Sequence, residues 1–395
     1  MFPPEEYTRR QALLAAELAV QEIDLAILTH PPDILYLSGT CQASCLFLPK
    51  SGDPLLASRR GAERARAEAA ARVKPFRDSA GLAALALRAC GTNPRRAALA
   101  FDVCRHDQAL RWRKLLPEAE IVDCAAVLRS LRQIKSPAEA ALIRLAGRQL
   151  DGALKTAASL LRLGQSELEL CIRIEAYLRR KGHPGLVRIR RPGFESGMGF
   201  ALAGQSTLPL PETDAICTGP GLSPAVPLGP GDREFRPGEP VLMDYLGSCG
   251  GYLADQTRML SLGPPPAEAS WAYEAMRQVL RRIEGRLGPG EEAGAIFQAA
   301  CREARLLGYE DSFMGGEQAG LRFVGHGLGL ELDEPPYLAQ GQKTRLAPGM
   351  VVAVEPKVVL PGLGVVGIEN TYLVTEGGFE CLTPAAEDWR QVPVD

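Results

Sequence analysis

Asp244 and Asp255 stand on either side of Ser248-Cys249-Gly250-Gly251, and the flanking residues read as the two strands of a hairpin. A two-residue turn at Cys249-Gly250 would place the acids directly across from one another, with Cβ atoms about 4.5–5.5 Å apart on one face. Ionised carboxylates that close repel, and strands disfavour aspartate, so a purely structural hairpin has little use for the pair. A bound cation removes the objection. Glu355 and Glu369 repeat the arrangement around a turn centred on Gly362, in Leu360-Pro361-Gly362-Leu363-Gly364. Four carboxylates on two such hairpins are the ligand type that holds paired divalent ions about 3.5–4 Å apart.

A further ligand is expected, and the chain has only His30, His106, His183 and His326 to offer as imidazoles. His326 is the strongest candidate. It lies in Phe323-Val324-Gly325-His326-Gly327-Leu328-Gly329-Leu330, where strand-like residues hold it and flanking glycines let backbone approach closely. A histidine taken alone is ordinarily a satisfied or exposed side chain, so the surrounding pattern carries this reading. The glycines lack the G-x-G-x-x-G spacing of a phosphate-binding loop.

The elements that must position these groups are duplicated. Pro237-Gly238 precedes Val241-Leu242-Met243-Asp244, and Pro348-Gly349 precedes Val351-Val352-Ala353-Val354-Glu355; acid-x-Thr follows each, as Asp255-Gln256-Thr257 and Glu369-Asn370-Thr371. Helix-like stretches also begin after Leu163-Gly164 and Leu287-Gly288. Two related halves, each presenting a carboxylate pair, are the expectation. Upstream, Ser136-Pro137-Ala138-Glu139 supplies an N-cap serine, a first-turn proline and a capping-box glutamate. A long helix should begin there, with Leu142, Leu145, Ala146, Leu150, Ala153, Leu154, Ala157, Leu160 and Leu161 forming its apolar face. That puts a domain boundary near residue 133. Residues 1–132 read as a mixed α/β domain: a helix over 7–22, strands at 25–29 and 34–37, a hairpin at 45–48 and 54–57, a helix over 59–73 and a strand near 98–101.

Composition narrows the function. At 395 residues and 46% hydrophobic, the chain has material for two domains with sizeable cores. Lys+Arg 45 against Asp+Glu 47 leaves a net charge of −2, without the basic field that nucleic acid requires. No apolar run is long enough for a membrane span, and Phe2-Pro3-Pro4-Glu5-Glu6 does not read as a secretory start. Ten cysteines without a C-x-x-C pair read as reduced, mostly buried small hydrophobes in a cytoplasmic protein.

Val241-Leu242-Met243-Asp244, Gly251-Tyr252-Leu253-Ala254-Asp255-Gln256-Thr257-Arg258, Gly325-His326-Gly327-Leu328-Gly329, Pro348 through Pro356, and Gly367-Ile368-Glu369-Asn370-Thr371 resemble, in order, the motifs of the pita-bread metallohydrolases, the family of aminopeptidase P, prolidase, methionine aminopeptidase and creatinase. Leu28-Thr29-x-Pro31 and Tyr36-Leu37-Ser38-Gly39 resemble its creatinase-type N-terminal domain. The resemblance implies an N-terminal domain over 1–132 and, over 133–395, a pita-bread α+β catalytic domain with a pseudo-twofold duplication. It makes Asp244 a ligand of one metal, Asp255 and Glu369 bridging ligands, and His326 and Glu355 ligands of the other. Oxygen-rich sites with one imidazole suit Mn²⁺, Co²⁺, Fe²⁺ or Zn²⁺, and the family favours manganese. The implied reaction is hydrolysis near a peptide's N-terminus, often next to proline, by a metal-bridging water with Glu355 assisting proton transfer. The implied assembly is a homodimer.

Two family histidines near the substrate are missing. One falls on Asp333 and the other on Pro227 or Leu228, while the family's common Arg-Ile-Glu-Asp reads Gly367-Ile368-Glu369-Asn370. Losing one oxyanion donor can cost about 10²–10³ in rate, which opens two other readings. One is a creatinase-like C–N hydrolase or a lyase of a small nitrogenous or cationic compound; the other is a binding protein without catalysis. A carboxylate at Asp333 would attract a cationic or amine-bearing substrate. Arg258 is expected to support the metal carboxylates from behind, and His183, in Gly182-His183-Pro184-Gly185, to approach the pocket.

Overall fold

Proline and glycine punctuate the first element pair. The computed structural model describes residues 2–191, 196–208, 211–316 and 320–394. The chain divides into two compact units, Met1–Arg132 with a short stretch around Arg190, and Gln133–Ile189 with the chain beyond. The first unit runs α1 (Pro4–Val20), β1 (Leu25–Leu28), α2 (Pro31–Ser38), β2 (Cys45–Pro49), β3 (Leu55–Ser58), α3 (Ala62–Glu68), β4 (Arg72–Pro75), α4 (Ser79–Cys90), β5 (Arg96–Leu99), α5 (His106–Leu115), β6 (Glu120–Asp123) and α6 (Ala125–Gln133). Its six strands form one mixed sheet in the order β4-β3-β2-β1-β5-β6. Two sequence expectations fail here. Residues 34–37 are helical because Pro31 starts α2 with its fixed φ and Gly39 ends it in the left-handed region (φ 83°). The run is buried throughout, so burial alone could not separate helix from strand. The helix expected over 59–73 is only α3, and its last residues become β4. In this unit Arg190 pairs with Asp33 (3.1 Å) and Asp102 (2.7 Å).

The second unit begins as its capping sequence predicts. Ser136 Oγ accepts from the Glu139 N–H and the Glu139 carboxylate accepts from the Ser136 N–H, opening α7 (Pro137–Leu160). Its buried stripe runs through Ile143, Ala146, Gly147, Leu150, Ala153 and Ala157, whereas Leu145, expected on it, is exposed. There follow α8 (Glu167–Arg180), β7 (Gly199–Ala203), β8 (Val241–Cys249), β9 (Tyr252–Leu262), α9 (Ala267–Glu284), α10 (Ala293–Leu306), β10 (Phe323–Gly327), β11 (Glu334–Ala339), β12 (Val351–Val354), β13 (Lys357–Leu360), β14 (Gly364–Gly367), β15 (Asn370–Thr375), β16 (Gly378–Cys381) and β17 (Arg390–Val392).

These strands make sheets in the orders β17-β9-β8-β7 and β11-β10-β12-β15-β16, with β13-β14 as a separate ribbon. One core joins Leu242 and Met259 of the first sheet, Met276 and Val279 of α9, Ile296 and Ala300 of α10, and Val352 and Val354 of the second sheet. Helix α7 lies against β8 so closely that a Cβ on Gly247 would sit 2.1 Å from the Ala146 carbonyl oxygen. No helix among the described residues is long and apolar enough to cross a membrane.

The β8-β9 hairpin corrects the expected register. Cys249 pairs with Tyr252, so the turn is Gly250-Gly251, and both residues take positive φ (57° and 83°). A two-residue turn of that kind needs φ > 0 at both positions, which glycine supplies and Cys249 would not. Asp244 therefore faces Thr257, and Asp255 faces Leu246. The acids become diagonal neighbours on one face, still within reach of a shared partner. In the other ribbon the expected register holds: Lys357 pairs with Gly367 and Leu360 with Gly364, leaving Glu355 and Glu369 just beyond the paired residues.

Candidate metal centre

Glycine lets three strands converge. A Cβ on Gly325 would stand 2.3 Å from the Ala353 carbonyl oxygen, so β10 approaches β12 only because residue 325 has none. That contact brings His326, across from Ala353, to the end of β12 where Glu355 follows. His326 Nε2 lies 4.0 Å from Asp255 Oδ2 and 3.8 Å from Glu355 Oε1. Its Nδ1 is 3.1 Å from the Gly327 carbonyl oxygen, which can only accept, so Nδ1 carries the proton and Nε2 turns its lone pair to the acids. Asp255, His326 and Glu369 each offer an atom within 4.8 Å of the others, and all three are buried. Asp244 stands on the same side but is less deeply placed.

The occupant of this acidic space is Lys357. Its Nζ donates to Glu355 Oε2 (2.8 Å), Asp244 Oδ2 (3.1 Å) and Glu369 Oε2 (3.1 Å), using all three ammonium protons. The side chain is 2% exposed. Burial works against its charge, but Asp244, Glu355 and Glu369 outweigh burial and hold its pKa well above the ordinary lysine range. Sequence reading did not single out Lys357. Strand alternation could have found it, because residues 355 and 357 point to one face, as do 367 and 369. Gly367 is its cross-strand partner, and a Cβ there would come within 2.4 Å of Lys357 Cγ and 2.6 Å of the Pro356 carbonyl oxygen.

Burial raises the pKa of Asp255 well above that of an ordinary carboxyl, reinforced by the charges of Glu369 and Asp244. Burial also raises Asp244, against the pull of Lys357. For His326 burial disfavours the imidazolium, but Glu355, Asp333 and Glu369 together raise its pKa. Thr257 Oγ donates to Glu369 Oε2 (2.8 Å), and Thr371 Oγ accepts from the Asp255 N–H and donates to its carbonyl, at 2.8 and 2.9 Å. The two acid-x-Thr threonines thus hold the acids of the opposite half.

Arg258 is buried, and its guanidinium touches none of the four carboxylates. It donates to the carbonyls of Thr257, Glu369, Ala385 and Ala386 and to Asn370 Oδ1, at 2.7–3.0 Å. It therefore fixes the backbone that carries Glu369. Asp333 is exposed and takes a positive φ of 67°, unusual for a residue with a Cβ, and its charge reaches His326. His183 is buried after α8, with Nδ1 accepting from the Gly185 N–H at 2.9 Å. Its other backbone partner is Leu246 in β8, and burial lowers its pKa to about 4. Pro227 is exposed and Leu228 half-buried, both outside any helix or strand.

The chain belongs to metallopeptidase family M24: the family profile matches residues 141–376, and that of the creatinase/prolidase N-terminal domain matches residues 9–134. Among curated relatives, the probable dipeptidase PepE of Mycobacterium tuberculosis is 28% identical over 407 aligned positions, covering 100% of this chain and 98% of that one. An Xaa-Pro dipeptidase of Pyrococcus furiosus is 28% identical over 257, covering 65% of each. Of solved structures, dipeptidase PepE from Mycobacterium ulcerans superposes with a TM-score of 0.80 at 26% identity, covering 100% of both chains. The Xaa-Pro dipeptidase from Bacillus anthracis gives 0.82 at 22% identity, covering 98% of this chain and 100% of that one. The fold is thus the pita-bread fold with its N-terminal domain.

Divalent ions are what this family binds, and the donors here fit one of them. Asp255 Oδ1 and Glu369 Oε1 are buried oxygens without a hydrogen-bond partner, and His326 Nε2 faces the same space. Two orphaned carboxylate oxygens and an imidazole lone pair form a donor set for a borderline cation. A second ion beside it does not fit, because Lys357 Nζ occupies the position between Asp244, Glu355 and Glu369.

Proposed function

We propose that this protein is a hydrolase that cuts an amide bond near the amino end of a short peptide, in the manner of the dipeptidases it resembles. The observation that carries the reading is the convergence of His326 Nε2 with the orphaned oxygens of Asp255 and Glu369. A divalent ion held by these residues and Glu355 would supply Lewis-acid polarisation of a carbonyl and acidify a water molecule. Manganese is the family's preference, and the ligand set equally accepts cobalt, zinc or iron. Glu355 divides its work: Oε2 is held by Lys357, and Oε1, facing His326, is the oxygen that takes and returns a proton. Arg258 keeps Glu369 in place by its backbone. Asp333, exposed and charged, draws the substrate's ammonium end toward the centre.

In this reading the substrate is a peptide or small amide bearing a free amine. The ten free cysteines suit a reducing cytoplasm, and the net charge of −2 suits a protein with neither nucleic acid nor membrane as partner. Homodimer formation follows from the family resemblance alone. The test is a panel of Xaa-Pro dipeptides, other dipeptides and small amidines, assayed with Mn²⁺, Co²⁺ or Zn²⁺. Cleavage of a free-amine dipeptide, weakened on N-acetylation and in Asp333→Asn, is expected. An enzyme that binds its ion stoichiometrically and cuts nothing in the panel refutes it, and favours the C–N hydrolase, lyase or binding alternative that the absent family histidines leave open.

A further inference from the structure

We infer that Lys357 is a built-in cation occupying one of the two ion positions of this scaffold, so that the centre takes a single divalent ion. The inference deepens the ion-site reading above, and its test counts ions rather than cleaved bonds. The two positions are distinguished by the oxygens that define them. Asp244 Oδ2, Glu355 Oε2 and Glu369 Oε2 all face Nζ at 2.8–3.1 Å, the contact distance of charge-assisted hydrogen bonds. The complementary oxygens, Asp255 Oδ1 and Glu369 Oε1, have no partner, and Glu355 Oε1 turns to His326. Glu355 and Glu369 therefore each give one oxygen to the ammonium and keep the other for the neighbouring position.

The ribbon is built to deliver this lysine. Lys357 follows Glu355 by one strand repeat, which returns its side chain to the acid-bearing face. Its cross-strand partner is Gly367, where any Cβ would overlap Lys357 Cγ. The lysine stem thus runs through space that only a glycine at 367 leaves open. Hydrogen-bonded to three carboxylates at 2.8–3.1 Å, Nζ fills the space between them and excludes a metal from that position.

The experiment is ion counting on the full chain loaded with Mn²⁺, by equilibrium dialysis with elemental analysis, alongside Mn²⁺ electron paramagnetic resonance. Wild type should hold one ion per chain with the spectrum of an isolated Mn²⁺. Lys357→Ala should hold two, with the spectrum of a coupled pair. Two ions in wild type, none in wild type, or one in folded Lys357→Ala would each overturn the assignment. If Lys357→Ala does not fold, Asp244→Asn decides: its carboxylate serves the ammonium, so one ion and the isolated spectrum should persist, and loss of that ion overturns the assignment. Failure to cleave any peptide would leave these counts unchanged, and so would speak only against the proposed reaction.

Discussion

Lys357→Met keeps the packing of the stem but is one atom shorter, so it removes the ammonium and vacates the position of Nζ between the three acids. Three carboxylates then face one another: Asp244, Glu355 and Glu369, each now within 3.1 Å of a donor that would be gone. Removing one partner of a buried ion pair costs about 3–5 kcal/mol. With three acids depending on one lysine, the ion-free variant should fall in the upper part of that range. Manganese should reverse part of the loss. An ion at about a hundredfold its dissociation constant adds about 2.7 kcal/mol to a one-site protein, so a variant with two sites gains about twice what wild type gains. The deficit should shrink to about 1–2 kcal/mol on these figures. Urea unfolding in chelator and in Mn²⁺, analysed for the transition of the second unit, measures both quantities. An ion-free variant as stable as wild type, or an equal Mn²⁺ gain in both proteins, would refute the reasoning.

Three further outcomes follow from other residues. His183 has a folded pKa of about 4 against an ordinary 6.5, so it adds no penalty above pH 6.5 and withdraws stability as pH falls from there to about 4. At most about 3 kcal/mol is involved at 1.36 kcal/mol per pH unit, and His183→Gln should flatten the wild-type loss of urea midpoint between those pH values. Arg258→Lys supplies fewer donors to five buried acceptors; it should cost about 2–4 kcal/mol and, by loosening Glu369, weaken Mn²⁺ binding about 10–100-fold in calorimetry. Gly367→Ala forces a methyl to within 2.4 Å of Lys357 Cγ and 2.6 Å of backbone; it should lose about 1–3 kcal/mol, and an unchanged melting temperature would count against the close ribbon packing.

What could be read from the sequence was local chemistry. Ser136 and Glu139 form the capping box their spacing predicts, because both groups lie within one helical turn of the backbone they satisfy. Asp255, His326 and Glu369, far apart in the chain, lie within 4.8 Å of one another by their ligand atoms. Register was legible where the turn chemistry was unambiguous, around Gly362; at Gly250-Gly251 the turn lies one residue further on and the pairing two, because the choice depended on which two residues could take positive φ. Residues 34–37 were read as a strand because a buried apolar run has no period to reveal. Arg258 and Lys357 were harder for a different reason. Arginine and lysine are ordinarily surface residues, and what makes these two internal is largely long-range: acceptors on Glu369, Asn370, Ala385 and Ala386 for one, the acids Asp244 and Glu369 beside nearby Glu355 for the other.

The charge count explains why one lysine changes what the scaffold can accept. Four carboxylates with two divalent ions are balanced before any substrate or water is added, as a two-ion centre requires. Adding a buried ammonium to that set would leave an excess positive charge in a region of low polarisability, which is costly without a counter-ion. With Lys357 and one divalent ion the same four acids retain a single negative charge. That residual charge adds to the field of Asp333, an exposed side chain whose charge reaches His326. A centre left slightly negative should hold an ammonium-bearing ligand more tightly than its neutral amide analogue, and the preference should weaken with added salt because Asp333 is open to solvent. Competition of free-amine and N-acetylated dipeptides for the Mn²⁺-loaded protein measures it. Equal binding of the two, at low salt as at high, would mean that the balance of charge around Lys357 does not select the substrate.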